Sequence, residues 1–229
     1  MPEIKTITLA LPYHLGSVNC YLVKTDAGYI LIDTGSSNQR AALDQELRSA
    51  GCQPGNLKLI ILTHGDFDHA GNAAYFRDKF GAPLAIHAGD AGVIESGDMF
   101  WNRKTENGVV RRLSPILFGF GKKECCRPEL FLEEDTDLAK YGLDARVFAL
   151  PGHSLGSVGI LTGGGDLFCG DLLINTKRPA LNTLIDDMTA AKASVEKLKT
   201  LKIKTVYPGH GKPFPMETFA GTPMREEKW

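Results

Sequence analysis

The 229-residue chain has few cysteines, few aromatic residues and almost no net charge. It holds only five cysteines and 8% aromatic residues, and 26 Lys and Arg nearly cancel 27 Asp and Glu. Five cysteines cannot all pair, so reduced thiols in a cytoplasmic protein are the simplest interpretation. Balanced charge argues against broad binding of nucleic acid or anionic membranes. We therefore expect a cytoplasmic protein whose electrostatic attraction is only local.

Long apolar runs are missing as well. A long uncharged stretch, residues 6–23, contains Pro12, His14, Gly16 and Asn19 and is too polar for a membrane helix. No basic segment precedes an apolar one at the beginning of the sequence, which argues against a secretory leader. With 43% hydrophobic residues, the chain can close one sizeable core. We expect a single domain over residues 1–229 and no membrane partner.

Strand and helix patterns alternate along the chain. The continuous apolar run from Leu57 to Leu62 predicts a buried strand, and Leu43 with Leu47 before Gly51 predicts a helix over 38–50. Such alternation is typical of an α/β layered domain. Similar patterns predict helices over 70–80 and 187–202, and strands over 19–25, 28–33, 83–86, 146–150, 158–162, 167–169 and 205–207.

Two segments of the sequence resemble each other. Residues 10–18 and 149–158 share the pattern Ala-Leu-Pro-x-His followed by Leu-Gly-Ser-Val, and each leads into an apolar strand that ends at Asp33 or Asp171. The similarity favours a fold of two related halves, with chance recurrence of a short loop motif as the alternative.

Residues 89–135 interrupt the alternation. They are rich in glycine and polar residues, and the stretch from Arg103 to Arg127 carries seven basic residues against two acidic ones. One interpretation is a solvated insertion, since charge runs are usually exposed faces. The other is a lid over a binding site, which would favour an anionic substrate.

The most informative segment follows the strand at 57–62. It reads Thr-His-Gly-Asp-Phe-Asp-His over residues 63–69, so four possible metal ligands lie within six residues. In an extended turn, residues 64, 66 and 68 point to one side, while His69 at the helix start reaches a second position. The alternative is that Asp66 or Asp68 only caps the following helix.

Three further candidates occupy glycine-containing turns at the ends of other strands. They are His153, Asp171 and His210. Glycine lets the backbone approach closely, so such turns can direct side chains into a shared cleft. Together the segments supply four imidazoles and three carboxylates, enough for two metal ions with positions left for water and substrate.

In this order and spread over most of the chain, the seven residues resemble the motif of the metallo-β-lactamase superfamily. The resemblance implies an α/β fold, the αββα four-layer sandwich built from two similar halves, with a metal site between them. It also implies that Asp33 supports a ligand by hydrogen bonding, with an ordinary turn residue at the end of the hairpin as the alternative. By the same resemblance, His64, Asp66 and His153 hold one ion, Asp68, His69 and His210 hold the other, and Asp171 lies between them.

The sequence departs from the family at Asp66, where most members have a histidine. Two divalent ions, one hydroxide and three carboxylates sum to zero charge, whereas a histidine at this position would leave one positive charge. A hard oxygen ligand also shifts preference from zinc toward iron or manganese. We expect two divalent ions, zinc first, with iron or manganese as alternatives.

The resemblance implies a metal-dependent hydrolase. A hydroxide bridging the two ions would attack an ester-like carbonyl, in a thioester or lactone, with Asp68 as catalytic residue that both ligates and orients the attacking oxygen. One alternative is an iron-dependent oxidoreductase of the flavodiiron or persulfide dioxygenase type without a flavodoxin domain. Another is a metal-binding module without turnover.

Other polar residues are weaker candidates. His87 ends a predicted strand, where it either supports the cleft or is simply packed. Arg178 and Asn182, in the loop over 175–185, are expected to be exposed and to contact a small-molecule substrate, which the basic segment predicts to be anionic. The near-zero net charge of the chain predicts that it has no nucleic-acid partner. The sequence does not indicate the oligomeric state.

Overall fold

Two β-sheets form the centre of the molecule in the computed structural model, which describes residues 2–103 and 121–219. The strands of the first sheet are β1 Glu3–Ala10, β2 Ser17–Thr25, β3 Gly28–Ile32, β4 Leu57–Ile61, β5 Leu84–His87 and β6 Leu130–Leu132. Those of the second are β7 Ala145–Ala149, β8 Val158–Thr162, β9 Asp166–Gly170, β12 Thr205–Pro208 and β13 Phe214–Pro215, and the separate strand β10 Leu173–Ile174 pairs with β11 Ala180–Leu181. The first sheet has the order β1-β2-β3-β4-β5-β6 and the second β13-β12-β9-β8-β7.

Helices cover the outer faces of the sheets. The α-helices are α1 Arg40–Ser49, α2 Phe67–Ala70, α3 Ala73–Phe80, α4 Ala88–Ser96 and α5 Met188–Lys199, and short 3-10 helices span Pro12–His14, Ser37–Gln39, Ala139–Tyr141 and Met216–Thr218. No helix in the described part of the chain is sufficiently long and apolar to span a membrane.

The buried side chains form three layers of packing. One cluster, with Tyr21 and Ile30 of the first sheet and Ile160 and Phe168 of the second, lies between the sheets. A second packs α1, α3 and α4 on the first sheet, and a third packs α5 on the second sheet. Alternate residues of a strand face opposite sides, so the continuous apolar run of β4 supplies two of these layers. The layers are therefore helix, sheet, sheet and helix, as the αββα prediction requires.

The two halves repeat one topology. Strands β1, β2 and β3 pair antiparallel in sequence and β4 joins β3 in parallel; β7, β8 and β9 do the same and β12 joins β9 in parallel. The similar segments 10–18 and 149–158 connect β1 to β2 and β7 to β8, in equivalent places. The prediction of two similar halves is confirmed.

Differences from the predicted elements have local causes. The helix expected over 70–80 begins later, as α3 at Ala73, and Ala70 ends the separate helix α2; Asn72 lies between them with non-helical backbone angles and donates from Nδ2 to the carbonyl oxygens of Thr34 and Ser36. Segment 89–135, expected to break the rhythm, begins with α4 and later contains β6, both of which pack into the first half. Residues 104–120, on which the lid prediction mainly falls, lie outside the described residues.

Candidate metal centre

Seven side chains converge where strands of both sheets end. Each belongs to a segment that follows one of the strands β4, β7, β9 and β12. The side chains meet because these four strands end at the same edge of the sandwich. They are His64, Asp66, Asp68 and His69 after β4, His153 after β7, Asp171 after β9 and His210 after β12.

The backbone after β4 explains how one short segment serves two groups of ligands. Asp66 is extended, with φ −66° and ψ 150°, and α2 begins at Phe67, so Asp68 and His69 lie on a helical turn. Asp66 occupies the position before α2 but makes no capping hydrogen bond. Its carboxylate is therefore directed into the site and does not cap the helix.

The first group of donor atoms comprises His64, Asp66 and His153, which lie within 4.8 Å of one another. Nε2 of His153 is 3.1 Å from Oδ2 of Asp66, and Nε2 of His64 is 3.7 Å from the same oxygen. Two imidazoles and one carboxylate at this spacing match the donor types of a divalent transition-metal site.

The second group comprises Asp68, His69 and His210. Oδ2 of Asp68 lies 3.4 Å from Nε2 of His210 and 3.9 Å from Nε2 of His69. Asp171 joins the two groups, with Oδ1 3.3 Å from Nε2 of His69 and Oδ2 4.0 Å from Nε2 of His153. The arrangement is that of two adjacent three-donor sites sharing one carboxylate.

Each imidazole directs Nε2 into the centre because its Nδ1 has a partner outside it. Nδ1 of His153 donates to the carbonyl of Leu184 at 2.5 Å, and Nδ1 of His210 donates to the carbonyl of Ser17 at 2.7 Å. A carbonyl only accepts, so Nδ1 keeps its proton and Nε2 is the ring nitrogen that binds a metal once its own proton is lost.

Asp33 orients the other two histidines. Its Oδ2 lies 2.8 Å from Nδ1 of His69 and accepts a hydrogen bond from Oγ1 of Thr63, which in turn lies 3.0 Å from Nδ1 of His64. Asp33 adopts φ 59°, a strained backbone angle for a residue other than glycine, at the end of β3. Asp33 thus contacts one candidate ligand, His69, directly and a second, His64, through Thr63.

Close packing behind the ligands explains one of the glycines. A Cβ at Gly209 would overlap the Asp171 carboxylate and lie 2.6 Å from Cε1 of His69. Only glycine lets the turn after β12 approach this closely.

Three buried polar atoms of the centre have no hydrogen-bond partner among the described residues: Nε2 of His64, Nε2 of His69 and Oδ1 of Asp171. Burying such an atom without a partner costs about 1–3 kcal/mol. All three are good ligand atoms and face one another. Divalent cations held by the two groups of donors would satisfy all three atoms, so the residues present fit a metal centre.

The pKa values of the histidines in the cluster are shifted in opposite directions. Burial and the neighbouring imidazoles lower the pKa of His64 well below its usual value. Burial also disfavours charge on His153 and His210, but hydrogen bonds to Asp66 and the charge of Asp171 outweigh it. The pKa of His153 rises to about 9 and that of His210 to about 10.

The weaker candidates have different surroundings. Nδ1 of His87 accepts a hydrogen bond from the backbone N–H of Gly89 at 3.0 Å and so caps α4. Arg178 is exposed and is not among the residues that line the cavity above the cluster. The expectation that Asn182 is exposed is wrong: it is 5% exposed because Nδ2 donates to Oδ2 of Asp171 at 3.3 Å.

Asp90 is a buried residue that the sequence patterns do not reveal. Its carboxylate accepts hydrogen bonds from the backbone N–H groups of Gly65 and Gly156, the hydroxyl of Ser154 and the amide of Asn102. It therefore ties the turn after β4 to the turn after β7, although it touches none of the metal-ligand atoms. No motif surrounds it, and only the closeness of the two turns in space identifies it.

Replacing Asp90 should weaken the fold strongly. We expect Asp90→Ala to lower the free energy of unfolding by about 3–5 kcal/mol, because several buried donors, at about 1–3 kcal/mol each, lose their acceptor. Urea denaturation of the metal-free protein measures the change. Asp78→Ala, which removes only a surface ion pair with Arg77, should cost no more than about 1 kcal/mol. Equal effects of the two substitutions would contradict the assigned role of Asp90.

Two sheets between helices, with histidines and aspartates clustered at the strand ends, define the metallo-β-lactamase fold. The sequence model of the metallo-beta-lactamase superfamily matches residues 14–210, and the chain belongs to this superfamily. The probable metallo-hydrolase YqjP of Bacillus subtilis is 26% identical over 92% of this chain and 72% of its own length. Such relatives support a metal-dependent hydrolase in general.

Solved structures agree with this assignment. TTHA1623, crystallised in a di-iron-bound form, is 28% identical and has a TM-score of 0.70, covering 94% of this chain and 96% of its own. The BLEG-1 B3 metallo-beta-lactamase is 25% identical with a TM-score of 0.72, covering 94% and 95%.

Proposed function

We propose that the protein is a dinuclear metal-dependent hydrolase that cleaves an ester-like bond, in a thioester or a lactone. The observation that carries the proposal is the pair of three-donor groups joined by Asp171, which opens onto a large cavity. Two divalent ions bound there would polarise the substrate carbonyl and acidify a water molecule. Zinc is our first expectation, with iron or manganese as alternatives.

Asp68 is the residue of the cluster best placed to handle a proton. Its Oδ2 lies near His210 and His69, and the residue lines the cavity while remaining 8% exposed. A carboxylate in this position can accept a hydrogen bond from the attacking water and orient its lone pair toward the substrate. No serine or cysteine nucleophile is needed.

The cavity above the cluster suggests the shape of the substrate. It has a volume of about 1500 Å³ and is lined in part by Leu15, Phe67, Met99 and Leu184. Leu15 and Leu184 are 57% and 72% exposed, unusual for leucines beside a polar centre. An ester with an apolar acyl group would cover these side chains and gain from their burial.

Two lysines favour an anionic group on the same substrate. Lys177 and Lys212 line the cavity, and neither forms an ion pair with a carboxylate in the described part of the chain. We expect Lys177→Gln with Lys212→Gln to raise KM for an anionic ester several-fold, since one exposed charge pair contributes about 1 kcal/mol. KM for a neutral ester with the same acyl group should stay unchanged, and Lys199→Gln, remote on α5, is the matched control. Equal KM changes for both esters would contradict this prediction.

A second candidate function is an iron-dependent oxidoreductase. The extra carboxylate oxygen of Asp66 suits iron, and the similar protein TTHA1623 was crystallised in a di-iron-bound form. Such chemistry would consume oxygen and would need an electron donor or an oxidisable substrate.

One experiment separates the two functions. The protein is purified without added metal, its metal content is determined by elemental analysis, and thioesters, lactones and oxygen uptake are assayed with that metal restored. Cleavage that is lost on chelation and recovered on reloading supports the hydrolase. Oxygen uptake by the iron-loaded protein without ester cleavage supports the oxidoreductase, and cleavage that survives complete metal removal would overturn the hydrolase proposal.

A further inference from the structure

Arg103 reaches the metal centre from outside the ligand motifs. It lies in the turn after α4, and its side chain is 13% exposed. Nη2 lies 2.8 Å from Oδ1 of Asp66, and Nε lies 2.8 Å from Oδ2 of Asp186. The guanidinium thus joins the turn after β4 to the loop before α5.

The two oxygens of Asp66 have different neighbours. Oδ2 faces Nε2 of His153 and Nε2 of His64, as a ligand atom should. Oδ1 faces away from them, toward Arg103. One oxygen is therefore available to a metal, while the other forms an ion pair with the guanidinium, an electrostatic contact that favours this rotation of the carboxylate.

The charge of Arg103 acts mainly on Asp66. Asp66 is buried, with its side chain 11% exposed, whereas the Asp186 side chain is 40% exposed and is screened by water. Three carboxylates give the donor set three negative charges, and the guanidinium reduces this to two. A donor set with histidine at this position would have the same total.

We propose that Arg103 is a positioning and charge-compensating residue, which makes Asp66 act toward a divalent ion as a neutral ligand held in one orientation. The expectation of a centre made less positive by Asp66 therefore needs correction, because it left this cation out. The inference rests on the proposed metal centre and not on the proposed substrate.

A double-mutant cycle on metal affinity tests the proposal. The proteins are the unchanged chain, Arg103→Gln, Asp66→His and the double variant, and zinc affinity is measured by competition with a chromophoric chelator. With Asp66 present, Arg103→Gln should weaken zinc binding, because the carboxylate loses its orienting partner. In the Asp66→His background the same change should strengthen binding, because it removes a cation that no longer faces a carboxylate of the centre and keeps only its contact with the half-exposed Asp186.

We expect the two effects of Arg103→Gln to differ by tenfold or more. A difference of threefold or less would overturn the proposal. Asp66→Asn, which keeps the shape of the side chain, repeats the cycle if Asp66→His does not fold, and should again give effects of opposite sign. Arg103→Lys should retain zinc affinity better than Arg103→Gln, because it keeps the charge and loses only the planar fork.

Two controls separate this role from others. Arg48→Gln removes an arginine that pairs with Asp44 on α1, remote from the centre, and should leave zinc affinity unchanged. If Arg103 served only to bind substrate, zinc affinity would be the same in all Arg103 variants and only KM would change. Zinc affinity is measured without substrate. The role of Arg103 can therefore be disproved without disproving the proposed hydrolase activity, and the hydrolase activity can be disproved without disproving the role of Arg103.

Discussion

Asp68→Asn should lower the turnover of a thioester or lactone about 1000-fold, within the range that positioned proton acceptors contribute. The carboxylate lines the cavity beside His210 and His69, where it can accept a hydrogen bond from the attacking water. An amide of the same shape can still offer an oxygen to a metal but cannot take up the proton. The measurement is kcat under saturating substrate, with the metal content of the variant determined in the same sample.

Metal content decides how this result is understood. If Asp68→Asn retains its metal and its thermal midpoint but loses turnover, the carboxylate acts in the reaction. Asp78→Asn, on the exposed side of α3, is the matched control and should keep full activity. Turnover within tenfold of the unchanged protein, with metal bound, would contradict the role we assign to Asp68.

Local sequence was sufficient to predict most of the fold. The strand expected over 57–62 is β4 at Leu57–Ile61, and the strand expected over 158–162 is β8 at Val158–Thr162. These strands are buried on both faces or bounded by glycine, so periodicity and turn residues identify them. The candidate ligands could also be named from the sequence, because each belongs to a segment that follows a strand and contains glycine.

Contacts between distant segments could not be predicted in this way. Arg103 and Asp66 are 37 positions apart and Asp90 and Ser154 are 64 apart, and each pair meets only because the turns that carry the two residues pack against each other. Asn182 was expected to be exposed because its loop is polar, but the loop folds back onto Asp171. Polar composition indicates a loop without indicating which of its side chains turn inward.

The fold and the charge of the centre are connected through Arg103. A carboxylate that departs from the family motif is accompanied by a cation from another turn, so the buried site keeps the charge balance that a histidine would give. Buried charges are tolerated when they are paired, and here one partner comes from a helix-end turn and the other from the motif itself. Motif comparison alone therefore leaves out a charge that contributes to the site.

Removing the metal should lower the thermal midpoint by at least about 8 °C near neutral pH. Metal that is free at 1000 times its dissociation constant stabilises the folded chain by about 4 kcal/mol per site, and 1 kcal/mol corresponds to about 2–4 °C in a domain of this size. Nε2 of His64, Nε2 of His69 and Oδ1 of Asp171 would lose the partner that satisfies them. The measurement is the thermal midpoint of chelated and reloaded protein, with calcium-loaded buffer as a control for nonspecific ions.

The size of this shift should depend on pH in a defined direction. In the metal-free protein the pKa of His153 is raised to about 9 and that of His210 to about 10. Because both pKa values are higher in the folded chain than the 6.5 of an unfolded histidine, protonation of His153 and His210 stabilises the folded metal-free protein. This stabilisation is complete below pH 6.5 and is lost as the pH rises through about 9 and about 10. Metal must displace the same protons, so its binding strengthens over the same range. With free zinc held constant by a metal buffer, the difference in thermal midpoint should be larger at pH 9 than at pH 6.5. A difference that stays constant or shrinks would show that these two histidines are not the ones that metal deprotonates.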